Sequence, residues 1–145
     1  MRQRPPLILM EQMIMLLVFA LAAALCLQAF VKSDGISKRS EARDRAVILC
    51  QNVAETLRGS GGSVDKAAKE AAEKLEYHCE GAALWQEFDE VWTPVDSGIY
   101  RLEAEGVPTN VPGLASACIS VRKVYDTDRE PETLFALTTA WQKER

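Results

Sequence analysis

The feature that most constrains this chain is an apolar run near its N-terminus. Between Leu7 and Val31 only Glu11, Gln12 and Gln28 are strongly polar. The run is rich in Leu, Met and Ala, which favour helix, and it contains neither Gly nor Pro. A helix of this length measures about 37 Å, and the hydrocarbon core of a bilayer is about 30 Å thick. We therefore predict one transmembrane helix over this run.

A cleaved secretory signal is the main alternative for this segment. The apolar region of such a signal is usually about 7–15 residues long and is followed by a small-x-small cleavage site. Here the run is longer, and the nearest match to that site, Leu21-Ala22-Ala23-Ala24, lies inside the run. The length of the run favours the membrane helix.

The composition narrows the class of function. The 145 residues suffice for one small domain, and 48% of them are hydrophobic, too many for a mostly disordered chain. Lys and Arg number 17 and Asp and Glu number 21, which gives a formal net charge of −4. Because binding to a phosphate backbone needs a basic surface, no nucleic-acid partner is predicted.

The helical pattern continues beyond the apolar run. Five apolar residues recur at spacings of three and four, which places them along one face of a helix. They are Ala42, Ala46, Cys50, Val53 and Leu57. Only Gly35 weakens the helix, at a cost of about 1 kcal/mol. We predict one helix from about Leu7 to Arg58, with its first half in lipid and its second half packed on a soluble domain.

The remaining sequence predicts a second helix and a sheet. Ser63 is a candidate N-cap for a helix over residues 64–77. Beyond it, segments with alternating or aromatic-rich patterns are separated by turn signals, and we predict strands at Leu84–Val95, Ile99–Glu105, Ala117–Tyr125 and Leu134–Trp141. Short strands joined by turns form antiparallel sheets. The predicted fold is α+β, with a long N-terminal helix packed on a small antiparallel four-stranded sheet.

This interpretation divides the chain into four segments. Residues 1–6 form a short basic segment, 7–31 the transmembrane helix, 32–58 its soluble continuation, and 59–145 an α+β head domain. The positive-inside rule compares Lys and Arg on the two sides of the span. More bases follow the span than precede it, namely Lys32, Lys38, Arg39, Arg43 and Arg45 against Arg2 and Arg4. Taken alone, this count favours a cytoplasmic head.

The motifs with catalytic or metal-binding chemistry favour ordinary structural roles. Ser63 and Lys66 have the S-x-x-K spacing of an activated hydroxyl, but a capping serine is the better interpretation. Ser120 and Lys123 repeat this spacing in a predicted strand, where the geometry fails. His78 is the only histidine. The acidic residues Asp126, Asp128, Glu130 and Glu132 fit a solvated turn better than a Ca²⁺ loop. No catalytic residue, cofactor, metal or small-molecule substrate is predicted.

The cysteines offer one candidate disulfide. Cys79 and Cys118 both belong to the head, and in an oxidising compartment they would staple the second helix or its exit to the sheet. Cys50 competes as a partner, although its place in the apolar stripe favours a buried thiol. Cys26 lies in the membrane run and is expected to stay free.

Glu11 and its surroundings carry a family resemblance. A carboxylate near the start of a membrane helix is costly unless it lies at the interface or has a partner on a neighbouring subunit. The segment Leu7–Ile14 follows a short basic leader and resembles the mature start of type IV pilins and type II secretion pseudopilins, with Glu11 at the family's glutamate position. In this register Pro6 occupies the cleavage position, where the family usually has glycine.

The resemblance implies a non-enzymatic minor pilin-like or pseudopilin-like subunit of a secretion, DNA-uptake or pilus assembly. It implies a single-pass protein of the bacterial cell membrane, with a cytoplasmic N-terminus and an extracytoplasmic head. Its expected partners are the membrane and other pilin-like subunits, contacted through the N-terminal helix, with Glu11 as the candidate assembly residue. The first alternative is a stand-alone anchored binding or sensor domain. The second is an anchored hydrolase that uses Ser63 and Lys66.

Overall fold

One long helix dominates the computed structural model, which describes residues 5–124 and 130–143, with side chains from Leu7 onward. This helix, α1, spans Pro5–Ser60 and continues through Gly35. The chain forms two compact units, and the boundary between them falls within α1. Residues 42–60 of α1 belong to the same unit as the sheet, and we call them the head half of α1.

The head half of α1 buries the predicted apolar stripe. All five stripe residues are buried, and Ala46, Cys50 and Val53 have no exposed surface. They belong to the same core as the apolar residues of the sheet. The predicted packing of this half on the sheet is therefore confirmed. At its end, Arg58 Nε donates a hydrogen bond of 2.7 Å to Thr139 Oγ1 in the last strand.

The second helix, α2, spans Val64–Leu75 and is capped as predicted. The backbone N–H of Lys66 donates to Ser63 Oγ, and Ser63 has extended backbone angles. The helix ends two residues before the predicted Tyr77, because Glu76 adopts a left-handed conformation with φ of 59°. A row of small residues packs into the core, formed by Ala67, Ala68, Ala71 and Ala72.

The described part of the head contains one antiparallel sheet of six strands rather than four. The strands are β1 (His78–Glu80), β2 (Ala83–Phe88), β3 (Pro94–Val95), β4 (Tyr100–Gly106), β5 (Leu114–Lys123) and β6 (Glu132–Gln142). Their order is β1-β2-β4-β5-β6, and β3 pairs with the end of β2. The predicted strand at residues 84–95 divides because a tight turn at Asp89 separates β2 from β3. The side chain of Asp89 accepts hydrogen bonds from the N–H groups of Val91 and Thr93.

The two faces of the sheet differ. The helix face carries alternate residues of the central strands, such as Leu84, Leu102 and Ile119, which are fully buried in the core with α1. The residues between them, such as Trp85 and Glu103, form the open face, which points away from this core and is partly exposed. This arrangement is a two-layer α+β architecture.

The candidate disulfide between Cys79 and Cys118 does not form, and both thiols are free. Strands β2 and β4 lie between β1 and β5, so the two cysteines are three strand spacings apart, about 14 Å. A disulfide requires Cα atoms within about 7 Å. In addition, Cys79 pairs with Leu84 of the helix face, whereas Cys118 pairs with Glu105 of the open face.

Candidate functional site

The apolar segment of α1 exposes side chains all around the helix. Every residue from Leu7 to Val31 is exposed, and the large apolar side chains keep between 56% (Ile14) and 75% (Phe19) of their surface accessible. Burying one such side chain contributes about 1.5–3 kcal/mol. Within the described residues, α1 is the one helix long and apolar enough to cross a membrane, and it lies near the N-terminus.

Glu11 is the only charged residue of this segment. On the helix surface it is flanked at three and four residues' distance by Leu7, Ile8, Ile14 and Met15. Its carboxylate therefore occupies an otherwise apolar face. At the centre of a bilayer a charge of this kind costs about 2.5–3.5 kcal/mol, and the cost falls near the interface. A cation on a neighbouring helix would offset it.

The thiols of the head differ sharply in access. Burial raises the pKa of Cys50 to about 12, with a smaller contribution from Cys118, so the thiol stays protonated at neutral pH. Cys79 is exposed, and its thiol donates to the carbonyl of Gly81 over 3.6 Å. Because the thiolate is the nucleophile, a water-soluble alkylating reagent is expected to modify Cys79 in preference to Cys50.

Ser63 and Lys66 are arranged for capping. The Ser63 hydroxyl accepts from the backbone of Lys66 rather than contacting its amine. The amine of Lys66 lies 3.8 Å from a carboxylate oxygen of Glu70, one turn further along α2. In β5, Ser120 pairs with an open-face residue and Lys123 with Tyr100 of the helix face, so these two side chains leave the sheet on opposite sides. Neither pair brings a hydroxyl and an amine together.

The open face of the sheet carries an aromatic stack. The ring of Trp85 stacks on His78 of β1, with ring centroids 4.4 Å apart and an interplanar angle of 22°. From the neighbouring strand, the guanidinium carbon of Arg101 lies 5.1 Å from the centre of the same ring. The single histidine of the sequence, His78, therefore packs against an aromatic ring on the open face.

An ion-pair network continues from this stack. Arg101 lies 3.6 Å from a carboxylate oxygen of Glu87 and 3.9 Å from one of Glu103. Arg122 of β5 donates to Glu103 over 3.1 Å. We call His78, Trp85, Glu87, Arg101, Glu103 and Arg122 the open-face cluster. It spans β1, β2, β4 and β5, and its alternating charges make this face polar.

The described residues contain no group of three or more His, Cys, Asp or Glu side chains that could hold a metal ion. Of the acidic turn considered as a Ca²⁺ loop, Asp126 and Asp128 lie outside the described residues. Glu130 is exposed and precedes β6, which begins at Glu132.

The sequence interpretation did not identify the open-face cluster. The alternation of Arg101, Glu103 and Glu105 in the predicted strand shows that these side chains share a face. Their partners depend on which strands are neighbours and in what register, since Trp85 pairs directly with Glu103. The strand of His78 had no periodic signal, because it is only three residues long.

Comparison of the chain with protein-family models, with curated proteins and with solved structures gives no match. The functional interpretation therefore depends on the residues and geometry described above.

Proposed function

We propose that this protein is a non-enzymatic, membrane-anchored subunit of the minor pilin or pseudopilin type, within a secretion, DNA-uptake or pilus assembly. It would be a single-pass protein of the bacterial cell membrane, with a cytoplasmic N-terminus and an extracytoplasmic head. The apolar half of α1 would bundle with the corresponding helices of related subunits. The head would make the specific contacts of the assembly.

The proposal is based on the difference between the two halves of α1. One half exposes apolar side chains on every side and holds a single carboxylate, Glu11. The other half packs a narrow stripe on an antiparallel sheet. A subunit that bundles with other subunits needs an anchor helix that other helices can surround. It also needs a head that stays outside the bundle. These two requirements match the two halves.

Glu11 gives the bundle its register. In an apolar environment a carboxylate gains most from one cation at a fixed height, so neighbouring helices would slide until the charges meet. Pro6 stands where the family's peptidase usually finds glycine. Glu11 therefore pairs with an amine or guanidinium of a neighbouring subunit, whether or not this chain is itself cleaved.

Topology is the first test, because the Lys and Arg count favours the opposite orientation. Intact cells would be treated with a membrane-impermeant maleimide, with a reductant present to keep thiols free. We expect labelling of the exposed Cys79 in intact cells and its loss in the Cys79→Ser variant. Labelling that requires lysis would place the head in the cytoplasm and refute the pilin-like proposal.

Bundling is the second test. Cys26 is exposed on the apolar segment, so oxidation of membranes is expected to cross-link neighbouring helices through it in a Cys79→Ser background. Glu11→Gln should reduce the cross-linked fraction, whereas the adjacent Gln12→Ala should not. Equal cross-linking in both variants would contradict the role of Glu11 in the bundle. Absent cross-linking would favour the alternative of a stand-alone anchored binding or sensor domain. The open-face cluster would then be the natural binding surface of that domain.

A further inference from the structure

A groove lies at one end of the head, between the start of α2 and the loop that joins β4 to β5. Its volume is about 380 Å³. Its apolar walls include Val64 of α2, Ala82 before β2, and Leu114 and Ala115 of β5. Of the described residues that line it, only Lys143 has a charged side chain. This groove, which we call the loop groove, therefore fits an apolar side chain with a negative charge beside it.

Backbone contacts fix the shape of the loop groove. The two strands that enter the loop stay joined, because the N–H of Val107 donates to the carbonyl of Ser116 over 2.9 Å. In return, the Ser116 hydroxyl donates to the carbonyl of Val107 over 2.8 Å. The N–H of Lys143 donates to the carbonyl of Gly113 over 2.8 Å and ties the loop to the end of β6. A groove that is already formed lowers the cost of ordering on binding.

The opposite end of the head presents an exposed apolar residue beside a carboxylate. Val91, in the turn between β2 and β3, keeps 77% of its surface accessible, more than any large apolar side chain between Leu7 and Val31. The preceding residue, Glu90, is also exposed. We call Glu90 and Val91 the knob. The knob combines the two chemical properties that the loop groove fits.

The turn holds the knob in a fixed position. The side chain of Asp89 accepts hydrogen bonds from the N–H groups of Val91 and Thr93, each over 2.9 Å. Trp92 has a φ of 65°, which bulky residues rarely adopt, while its ring stacks 4.1 Å from that of Tyr100. Such a backbone angle persists only where the surrounding structure enforces it. The turn thus keeps Trp92 against the core and leaves Val91 at the surface.

The knob and the loop groove lie too far apart to meet within one head. The six residues of β2 run from Ala83, next to the groove, to Phe88, next to the knob. At about 3.3 Å for each residue, the two surfaces are about 20 Å apart. A contact between them therefore joins two molecules. It is heterologous, because each copy contributes a different surface to it.

The charges of the two surfaces are opposite. Within the part of the chain that the structure describes, neither Glu90 nor Lys143 forms an ion pair. When Val91 enters the groove of another copy, the adjacent carboxylate of Glu90 is brought near the Lys143 ammonium. A charge pair across an interface selects the partner and its orientation. Because this chain carries both complementary surfaces, a second copy is favoured over a different protein.

We propose that the knob of one head docks in the loop groove of a second copy of this chain. Val91 packs among the apolar walls, and Glu90 pairs with Lys143. Since each copy keeps one free knob or groove, repetition of the contact extends a row of heads or closes a ring. The inference rests on the proposed function for the assembly in which heads meet, and it specifies the contact that they make there.

Disulfide trapping between two variants tests this contact. The accessible thiols of the background are first replaced by serine at Cys26, Cys79 and Cys118. One variant then carries Thr93→Cys beside the knob, and the other carries Pro108→Cys on the wall of the loop groove. The two full-length proteins are mixed in detergent at high concentration under mild oxidation. We expect a covalent heterodimer to form.

Two control mixtures define the background level of trapping. Glu73→Cys lies on the exposed side of α2, away from both surfaces, and should not form a heterodimer with Thr93→Cys. Thr93→Cys alone should not form a homodimer, because two knobs do not meet in a heterologous contact. Thermal unfolding of every variant establishes that its head is folded.

Charge reversal tests the ion pair. Glu90→Lys in the Thr93→Cys protein should slow heterodimer formation about tenfold, because two cations then face each other. Adding Lys143→Glu to the Pro108→Cys protein should restore the rate. Glu73→Lys makes the same change of charge on α2 and should leave the rate unchanged. If Glu90→Lys unfolds the head, Glu90→Gln replaces it and should slow the reaction less.

Four results would overturn the proposal. The first is a heterodimer yield no higher than that with Glu73→Cys. The second is a Thr93→Cys homodimer that forms as fast as the heterodimer, which would indicate a symmetric contact. The third is a Glu90→Lys variant that cross-links normally or is not rescued by Lys143→Glu. The fourth is trapping of Pro108→Cys in membranes on another polypeptide and never on a second copy.

The experiment separates this inference from the proposed function. It uses purified protein in detergent and does not depend on Glu11, on Cys26 or on the orientation of the head. It can therefore fail while the topology and bundling tests succeed, and the reverse.

Discussion

The two halves of α1 solve the same physical problem differently. Between Leu7 and Val31 the apolar side chains surround the helix and remain exposed. Between Ala42 and Ser60 they form a narrow stripe that the sheet covers. In the head the chain supplies its own apolar cover, whereas in the anchor the cover must come from lipid or from other helices. The pattern of exposure thus separates a fold-forming segment from an interaction-forming one within one helix.

The same substitution in both halves should give the largest contrast. Leu57→Ala removes a side chain that is 1% exposed, so we expect the head to lose about 2–5 kcal/mol of unfolding free energy. Leu16→Ala, at a residue 67% exposed, should leave the head as stable as before. Thermal unfolding in detergent, followed by circular dichroism, measures both. Equal losses would contradict the division of α1.

A charge placed in each half should give the reverse contrast. Phe19→Arg puts a guanidinium at the middle of the apolar run, where insertion costs about 2.5–3.5 kcal/mol. We expect a smaller alkali-resistant membrane fraction for this variant. Ile48→Arg, at a residue 51% exposed on the head half, should remain in the membrane fraction. If Phe19→Arg is retained as well as the unmodified chain, the apolar run is not the anchor.

The cap of α2 tests the structural interpretation of Ser63. Ser63→Ala should lower the stability of the head by about 1 kcal/mol, because the Lys66 N–H loses its acceptor. Ser63→Asp should restore most of that loss, since aspartate is an equally good N-cap. Denaturant unfolding of the three proteins gives the comparison. If Ser63 were a nucleophile instead of a cap, Ser63→Ala would not lower the stability of the head. Ser63→Asp would then not restore function.

The smallest effect is expected on the open face. Arg122→Ala removes a contact of 3.1 Å to Glu103, but the arginine side chain is 43% exposed. Pairs of this kind contribute about 0.2–1 kcal/mol. The loss should shrink at high ionic strength, because salt screens partly exposed charges. If Arg122→Ala lowered the unfolding free energy by more than Ser63→Ala does, or by an amount insensitive to salt, the ion-pair network would be a major contributor to the stability of the sheet.

Local patterns were sufficient for the helices. The spacing of Ala42 to Leu57 predicted the buried face, and Ser63 predicted where α2 begins. The fold class followed from these elements and the alternating strands.

Nonlocal pairing set the limits of prediction. The three residues of β1 are all exposed and become a strand only because β2 lies beside them. The turn that separates β2 from β3 depends on Asp89 accepting two backbone hydrogen bonds and on Trp92 taking a φ of 65° while its ring stacks 4.1 Å from Tyr100. The candidate disulfide failed for the same reason, since strand order decides which cysteines meet.

The contacts of β6 with the end of α1 and with the turn that follows α1 have a consequence for biosynthesis. Arg58 bonds a residue 81 positions later, and the carbonyl of Gly62 accepts from the indole of Trp141, 79 positions later. Most neighbouring strands, by contrast, are adjacent along the chain and can pair as they emerge. The stripe of the first helix to leave the ribosome thus stays uncovered until β2, β4 and β5 have emerged, and the helix end gains its partner only when β6 follows. During that interval the growing chain exposes the apolar stripe of α1, and a chaperone acting on this protein would be expected to bind that stripe.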